Sequence, residues 1–161
     1  MIKVNITEDQ RQRASGLYDF GSLKNSITKG KSNIYGALGE VIVHDFLKEN
    51  GRSVRFDNTA DYDLLVNGKK VDVKTRRTTV PPIQSFNCSI SAHNPNQKCD
   101  IYVFARVSED KKTGWICGWV MKDEFFKKAK FFKAGQKDPS FPSWKFSASC
   151  YNLPISKLEK L

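Results

Sequence analysis

Apolar residues recur at helical spacing over residues 33–50, NIYGALGEVIVHDFLKEN. They are Ile34, Leu38, Val41, Ile42 and Phe46. This spacing places them on one side of an α-helix. Asn50-Gly51 is a typical stop signal, because glycine readily adopts the left-handed conformation that ends helices. The pattern therefore predicts a helix over 33–50.

After residue 51 the apolar positions form short or alternating runs that are typical of strands. These runs are SVRF (53–56), YDLLV (62–66), KKVDVKTR (69–76), SFNCSIS (85–91), DIYVFARV (100–107) and GWICGWVM (114–121). A short helix is predicted over 7–20, with Thr7 as its N-cap. KDEFFKKAKFF (122–132) also has helical character, and the tail indicates a strand followed by a last helical turn. Together these elements predict a mixed α/β (α+β) fold.

The length and composition favour one domain over residues 1–161, because 39% of the residues are hydrophobic. The opening stretch, MIKVNITEDQRQR, lacks the apolar core of a signal peptide. No apolar run approaches the length that spans a bilayer. We therefore expect a soluble, cytoplasmic protein with no membrane partner.

The four cysteines are scattered singly, without a C-x-x-C pair, and are predicted to be free thiols. A zinc site would have to combine Cys88, His93, Cys99 and Cys117. Their spacing is irregular compared with structural zinc sites, so this interpretation is disfavoured.

The charge balance points to a polyanionic partner. Lysine and arginine total 27 against 17 acids, a formal net charge of +10. Such an excess favours nucleic acid, since phosphate contacts release counterions; the alternative is that lysines only maintain solubility. Lys29 and Lys31, in the Gly-, Ser- and Lys-rich segment 21–33, are candidate backbone contacts within what is otherwise a solvated loop.

Asn67-Gly68 lies between two apolar runs and predicts a β-hairpin with a two-residue type I′ turn. That turn pairs Val66 with Lys69, then Leu65 with Lys70, then Leu64 with Val71, and finally Asp63 with Asp72. Side chains alternate along strands, so Leu64, Val66, Val71 and Val73 share the core face, and Asp63, Asp72 and Lys74 share the other.

Two opposed carboxylates repel each other and need a proton, a nearby cation or a metal ion. Lys74 could supply part of that compensation, and paired oxygens beside an ammonium suit a Mg²⁺-dependent phosphodiester site. The alternative is a surface hairpin whose charges face solvent.

Glu40 is a candidate third acid. It lies at the border of the apolar side of the predicted helix, where Gly36 and Gly39 would allow close approach to a sheet. The alternative is an ordinary half-exposed glutamate with His44 as its neighbour one turn away.

The order Glu40, then Asp63, then Asp72-Val73-Lys74 resembles the PD-(D/E)XK nuclease superfamily, which includes restriction endonucleases, junction resolvases, homing endonucleases and phage nucleases. The likeness covers residues 33–107, with Tyr62 where the family name has proline. It implies a restriction-endonuclease-like core, a mixed central β-sheet flanked by helices.

The resemblance also implies the chemistry of the site. Asp63, Asp72 and the Val73 carbonyl would bind Mg²⁺, for which Mn²⁺ would substitute. Lys74 would orient the attacking water and stabilise developing negative charge, and Glu40 would bind metal through water or complete a second metal position. The implied reaction is hydrolysis of a DNA phosphodiester.

Arg76 and Arg77 are candidate phosphate contacts, and Gln84 could approach the scissile phosphate; the alternative is a polar strand end before Pro81-Pro82. A non-catalytic nucleic-acid-binding module and an RNA-processing nuclease remain alternative functions. Since one active site cuts one strand, a double-strand cutter would form a homodimer or higher homo-oligomer.

Overall fold

The computed structural model describes residues 1–21, 33–57, 59, 61–92, 96–139 and 141–161. Over these residues the helices are α1 (Glu8–Gly21), α2 (Asn33–Glu49) and α3 (Lys122–Lys128), with a 3₁₀ turn at Ile155–Lys157. The strands are β1 (Ile2–Asn5), β2 (Val54–Phe56), β3 (Leu64–Val66), β4 (Lys69–Thr78), β5 (Asn87–Ser91), β6 (Ile101–Ser108), β7 (Thr113–Met121), β8 (Lys130–Phe132), β9 (Lys137–Asp138), β10 (Phe141–Lys145) and β11 (Cys150–Pro154). The fold is mixed α+β, as predicted.

The largest sheet has six strands in the order β1-β7-β6-β4-β3-β2. Strands β4 and β6 are parallel, from Val71 opposite Ile101 to Thr78 opposite Ser108, and the other neighbours are antiparallel. A three-stranded sheet, β5-β11-β8, and the pair β9-β10 complete the strands. The large sheet includes β1 and β7, so it extends beyond residues 33–107, the range predicted for the core.

Helix α1 begins where the sequence predicts. The Gln10 amide donates to Thr7 Oγ1 at 3.2 Å, and the Thr7 amide donates to Gln10 Oε1 at 3.0 Å. This reciprocal cap satisfies two amides that have no partner inside the helix. Arg13 and Gln10 then bind the Asp45 carboxylate on α2, with Arg13 Nη2 2.5 Å from Asp45 Oδ2. These contacts hold α1 against α2.

Helix α2 packs on one face of the large sheet and forms the helix-side core. Its buried members from the helix and sheet include Leu38, Val41, Ile42, Leu64, Val71, Val73, Val103, Ala105 and Val107. The helix lies close to the sheet at Gly39, where a Cβ atom would lie 1.7 Å from Thr75 Oγ1 on β4, but not at Gly36, where a Cβ atom would meet nothing within 4 Å. Gly39 therefore sets the distance between α2 and the strand that carries Asp72 and Lys74.

A second core covers the opposite face of the same sheet. It contains Cys88, Ile90, Tyr102, Phe104, Cys117, Val120, Phe125, Leu153 and Ile155. Phe125 on α3 is fully buried and stacks on Phe104 of β6. Phe125 thus contributes to this core. The helical character predicted over 122–132 holds only to Lys128, because the chain then continues as strand β8.

The hairpin has the predicted turn and the first three of the four predicted pairs. Asn67 and Gly68 have φ values of 47° and 80°, the left-handed conformation that a type I′ turn requires. Leu64 pairs with Val71, Leu65 with Lys70 and Val66 with Lys69. Leu64, Val71 and Val73 all belong to the helix-side core, so the predicted face assignment is confirmed.

Within the described ranges, no helix is long and apolar enough to cross a membrane. All four cysteines are free thiols, three of them buried, as predicted. His93, the one histidine of the disfavoured zinc interpretation, lies outside the described residues.

Candidate active site

The side chain of Asp63 accepts a main-chain hydrogen bond just beyond the end of the β3–β4 ladder. The β3–β4 ladder ends at Leu64 opposite Val71, one pair before the predicted pairing of Asp63 with Asp72. Asp63 instead donates its amide to the Val71 carbonyl at 3.0 Å, and its Oδ2 accepts the Val73 amide at 2.7 Å. This local departure from the ladder avoids a regular cross-strand pair of like charges, although the two aspartates still interact electrostatically.

Asp72 is buried, with 2% of its surface exposed, and two side chains bind its carboxyl group. Lys74 Nζ lies 2.7 Å from Asp72 Oδ2. The side-chain amide of Gln97 donates to Asp72 Oδ1, and Lys122 Nζ donates to the Gln97 carbonyl. Charged hydrogen bonds and ion pairs of this kind are needed to hold a carboxylate inside a protein.

Lys74 connects this buried carboxylate to the surface. Its side chain is 26% exposed, whereas that of Asp72 is 3% exposed. The ammonium therefore neutralises Asp72 on one side and remains accessible to a ligand on the other.

Burial raises the pKa values of all three acids, and the charge of Asp72 adds to the shift for Glu40 and Asp63. Burial raises the pKa of Glu40 to about 7, with a further contribution from the Asp72 charge that Lys74 opposes. For Asp63, burial and then the charges of Asp72 and Glu40 raise the pKa well above its ordinary value, against the Val73 hydrogen bond. The pKa of Asp72 is also raised by burial, and Lys74 and Gln97 oppose the shift. The cluster therefore favours uptake of a proton or a cation.

The surroundings of Glu40 and His44 argue against a simple pairing of these two residues. His44 stacks on Phe56, with 4.4 Å between ring centroids, and its Nδ1 lies 3.0 Å from Asp45 Oδ1. Glu40 instead interacts electrostatically with Asp72 and Lys74. It is therefore part of the acidic cluster, as the third-acid interpretation requires.

The donor set suits a hard cation, because carboxylate oxygens are the preferred ligands of Mg²⁺. Asp72 Oδ2 is buried and, in the part of the chain that the structure describes, has no hydrogen bond besides its ion pair with Lys74. As positioned, no three histidine, cysteine or acidic side chains among the described residues form a ready metal-binding group. A cation would thus bind only after these side chains shift from the positions described.

The other predicted contact residues lie at varying distances from this cluster. Arg76 is exposed on β4, two residues beyond Lys74. Arg77 is also exposed and forms an ion pair with Glu109 at 3.0 Å. Gln84 is exposed, and its carbonyl accepts the Ser156 amide at 2.9 Å. Lys29 and Lys31 lie outside the described residues.

Sequence reasoning missed Gln97 and Lys122. Gln97 comes from the segment between β5 and β6, and Lys122 begins α3, so neither shares a motif with Asp72. Their proximity depends on how the chain returns to the large sheet, which local patterns do not encode. No family model and no curated protein matches the chain.

Proposed function

We propose that this protein is a Mg²⁺-dependent DNA endonuclease of the PD-(D/E)XK type, with a restriction-endonuclease-like core. The observation that carries the proposal is the ion pair of buried Asp72 with partly exposed Lys74, beside two further carboxyls of raised pKa. Clustered acids with perturbed pKa values and an accessible cation are typical of sites that do chemistry. An ion pair with only a structural role would not need the nearby carboxyl groups of Asp63 and Glu40, which interact electrostatically with it.

A bound Mg²⁺ would polarise the scissile phosphate and lower the pKa of a coordinated water. Asp63 and Asp72 would hold it, with Glu40 as a further or water-mediated ligand. The Lys74 ammonium, partly exposed beside Asp72, would orient the attacking water and stabilise the negative charge that develops on the phosphate.

The nucleic-acid partner is supported by charge. The net charge of +10 favours a polyanion. Arg76 lies on the same face of β4 as Lys74, because side chains alternate along a strand. A phosphate backbone that reaches Lys74 would therefore pass Arg76.

A non-catalytic nucleic-acid-binding module is the second candidate. It is favoured by the way Lys74 and Gln97 already satisfy Asp72, and by the absence of a ready metal-binding group among the described residues. Such a module would bind nucleic acid with a strong salt dependence and would not respond to divalent ions.

The deciding experiment is a plasmid-nicking assay in Mg²⁺, Mn²⁺ or EDTA. Wild type is compared with Asp72→Asn, Lys74→Met and the matched control Lys70→Met, which removes an exposed lysine of the same strand. We expect cutting by wild type and Lys70→Met, and a loss of at least 100-fold in the other two variants. Each removes a ligand or a charge-stabilising group, and such losses are commonly about 10²–10³.

Cutting that survives both Asp72→Asn and Lys74→Met would exclude this site. No cutting of plasmid, nicked, branched or single-stranded DNA by wild type would favour the binding module, and an RNA arm would detect an RNA nuclease. Light scattering tests the homo-oligomer that cleavage of both strands would require.

A further inference from the structure

A basic groove continues from the acidic cluster along the second half of β4. It consists of two adjoining clefts with volumes of about 340 and 610 Å³. Their shared lining residues are Arg76, Asn87, Ser89, Arg106 and Phe146. The smaller cleft reaches Lys74, so the groove and the acidic cluster have one side chain in common.

Arg106 is the unusual member of this lining. It lies on β6 between Ala105 and Val107, and only 7% of its surface is exposed. Its guanidinium donates to the Asn87 carbonyl at 2.9 Å and lies 4.9 Å from the centre of the Phe86 ring. Among the described residues, no carboxylate lies within ion-pair distance of it, although buried charges are normally paired.

A second arginine faces the first. Arg76 on β4 is the register partner of Arg106 in the parallel ladder, so the two side chains share a face of the sheet. Burial, and the charge of Arg76, lower the pKa of Arg106. Among the described lining residues, Asp138 is the one acid. Two neighbouring guanidinium groups suit an anion, since Arg106 has no carboxylate within ion-pair distance among the residues the structure describes.

Neutral hydrogen-bond donors complete the smaller cleft. Its polar lining includes Asn87, Ser89, Ser91, Ser147 and Ser149. A guanidinium presents five N–H donors, and hydroxyl groups donate at adjustable angles. This mixture of charged and neutral donors matches the several oxygen acceptors of a phosphate group.

We propose that the Arg76–Arg106 cleft binds a phosphate group of the nucleic-acid strand, about one nucleotide from the phosphate held at Lys74. Lys74 and Arg76 are two residues apart on one face of β4, which corresponds to about 7 Å. The identity of the strand as a substrate rests on the proposed function. The phosphate is either an internal diester or a terminal monoester, and both present the same anionic oxygens.

The test measures binding in EDTA, so that it does not depend on cutting. Short single-stranded DNA with a 3′ fluorophore, carrying either a 5′ phosphate or a 5′ hydroxyl, is titrated with protein and followed by anisotropy. The variants are Arg76→Gln, Arg106→Gln and Arg106→Met, with Arg55→Gln as the matched control. Arg55 lies on β2 with 69% of its side chain exposed, and it does not line either cleft.

We expect a loss of affinity of at least tenfold for Arg76→Gln and for both Arg106 variants, and less than threefold for Arg55→Gln. The slope of log affinity against log salt should also fall by about 0.7 for Arg76→Gln, because one phosphate contact is lost from a single strand. A greater loss with the 5′-phosphorylated strand would identify a terminal phosphate, and equal losses would identify an internal diester.

The proposal is overturned if Arg76→Gln behaves like Arg55→Gln in affinity and salt slope. Arg76 is exposed, so that outcome has no explanation in misfolding; thermal melts check the Arg106 variants separately. Arginine-dependent binding without cutting by wild type would refute the nuclease and retain the phosphate site. Cutting that is independent of both arginines would support the nuclease and refute the phosphate site.

Discussion

Replacement of Glu40 by glutamine should stabilise the protein more at pH 8 than at pH 5. Burial raises the pKa of Glu40 to about 7 from an ordinary value of 4.5, so the folded state holds a proton that the unfolded state releases. The stabilising contribution of this proton is complete below about pH 4.5, is lost as the pH rises, and is gone above about pH 7. Glutamine has the same shape and carries no charge at either pH.

The size of the effect follows from the two pKa values. At pH 8 the ionised carboxylate costs the fold about 3 kcal/mol relative to a neutral side chain, and at pH 5 about 1 kcal/mol. For a chain of this length, the difference of about 2 kcal/mol corresponds to roughly 4–8 °C in Tm.

Urea unfolding of wild type and Glu40→Gln at both pH values measures the two differences directly. Glu49→Gln is the control, because Glu49 is an exposed glutamate in the same helix, and its effect should stay within about 0.5 kcal/mol. Equal gains at pH 5 and pH 8, or a loss at pH 8, would refute the view that Glu40 is held in a buried acidic field. Millimolar Mg²⁺ should stabilise wild type at pH 8 more than Glu40→Gln if the three acids bind the cation.

Two further perturbations test the packing around the site. Gly39→Ala should destabilise the fold by about 1–3 kcal/mol in a thermal melt, because the new Cβ would lie 1.7 Å from Thr75 Oγ1; Gly36→Ala, with no atom within 4 Å of its Cβ, should not. Burial opposes ionisation of Asp45, but hydrogen bonds from Arg13, Gln10 and His44 hold its pKa well below the usual range. Asp45→Asn should therefore lower the free energy of unfolding by about 1 kcal/mol at pH 7. The difference from wild type should vanish as the pH falls, because protonated Asp45 no longer contributes. A difference that stays constant with pH would contradict this assignment.

Local signals were sufficient for the elements that carry the acids. Asn67-Gly68 imposes a turn that few other dipeptides adopt, so the hairpin register followed from two residues. The helix over α2 followed from its apolar spacing and from the stop at Gly51, whose φ is 75°. Both features depend on neighbours in sequence, which is why the sequence alone predicted them.

Long-range features were not predictable in this way. Strand β1 was missed because its four residues gain stability only by pairing with β7, more than a hundred residues later. Gln97 reaches Asp72 from a segment with no pattern of its own. Arg106 does have a sequence signal, because its charge interrupts an otherwise apolar run in DIYVFARV. A strand in the middle of a sheet is normally apolar on both faces.

The parallel pairing of β4 with β6 also has a consequence for the order of folding. The β3–β4 hairpin is local, and hairpins of this kind close in microseconds. Pairing of β4 with β6 joins residues about thirty positions apart, so it has a higher contact order and is slower. Asp72 lies opposite buried Tyr102 of β6, so we expect pairing of β4 with β6 to complete its burial and to strengthen its repulsion of Asp63 and Glu40. The early hairpin is therefore spared the electrostatic strain of the finished site, and mutations that relieve this strain should slow unfolding more than they accelerate folding.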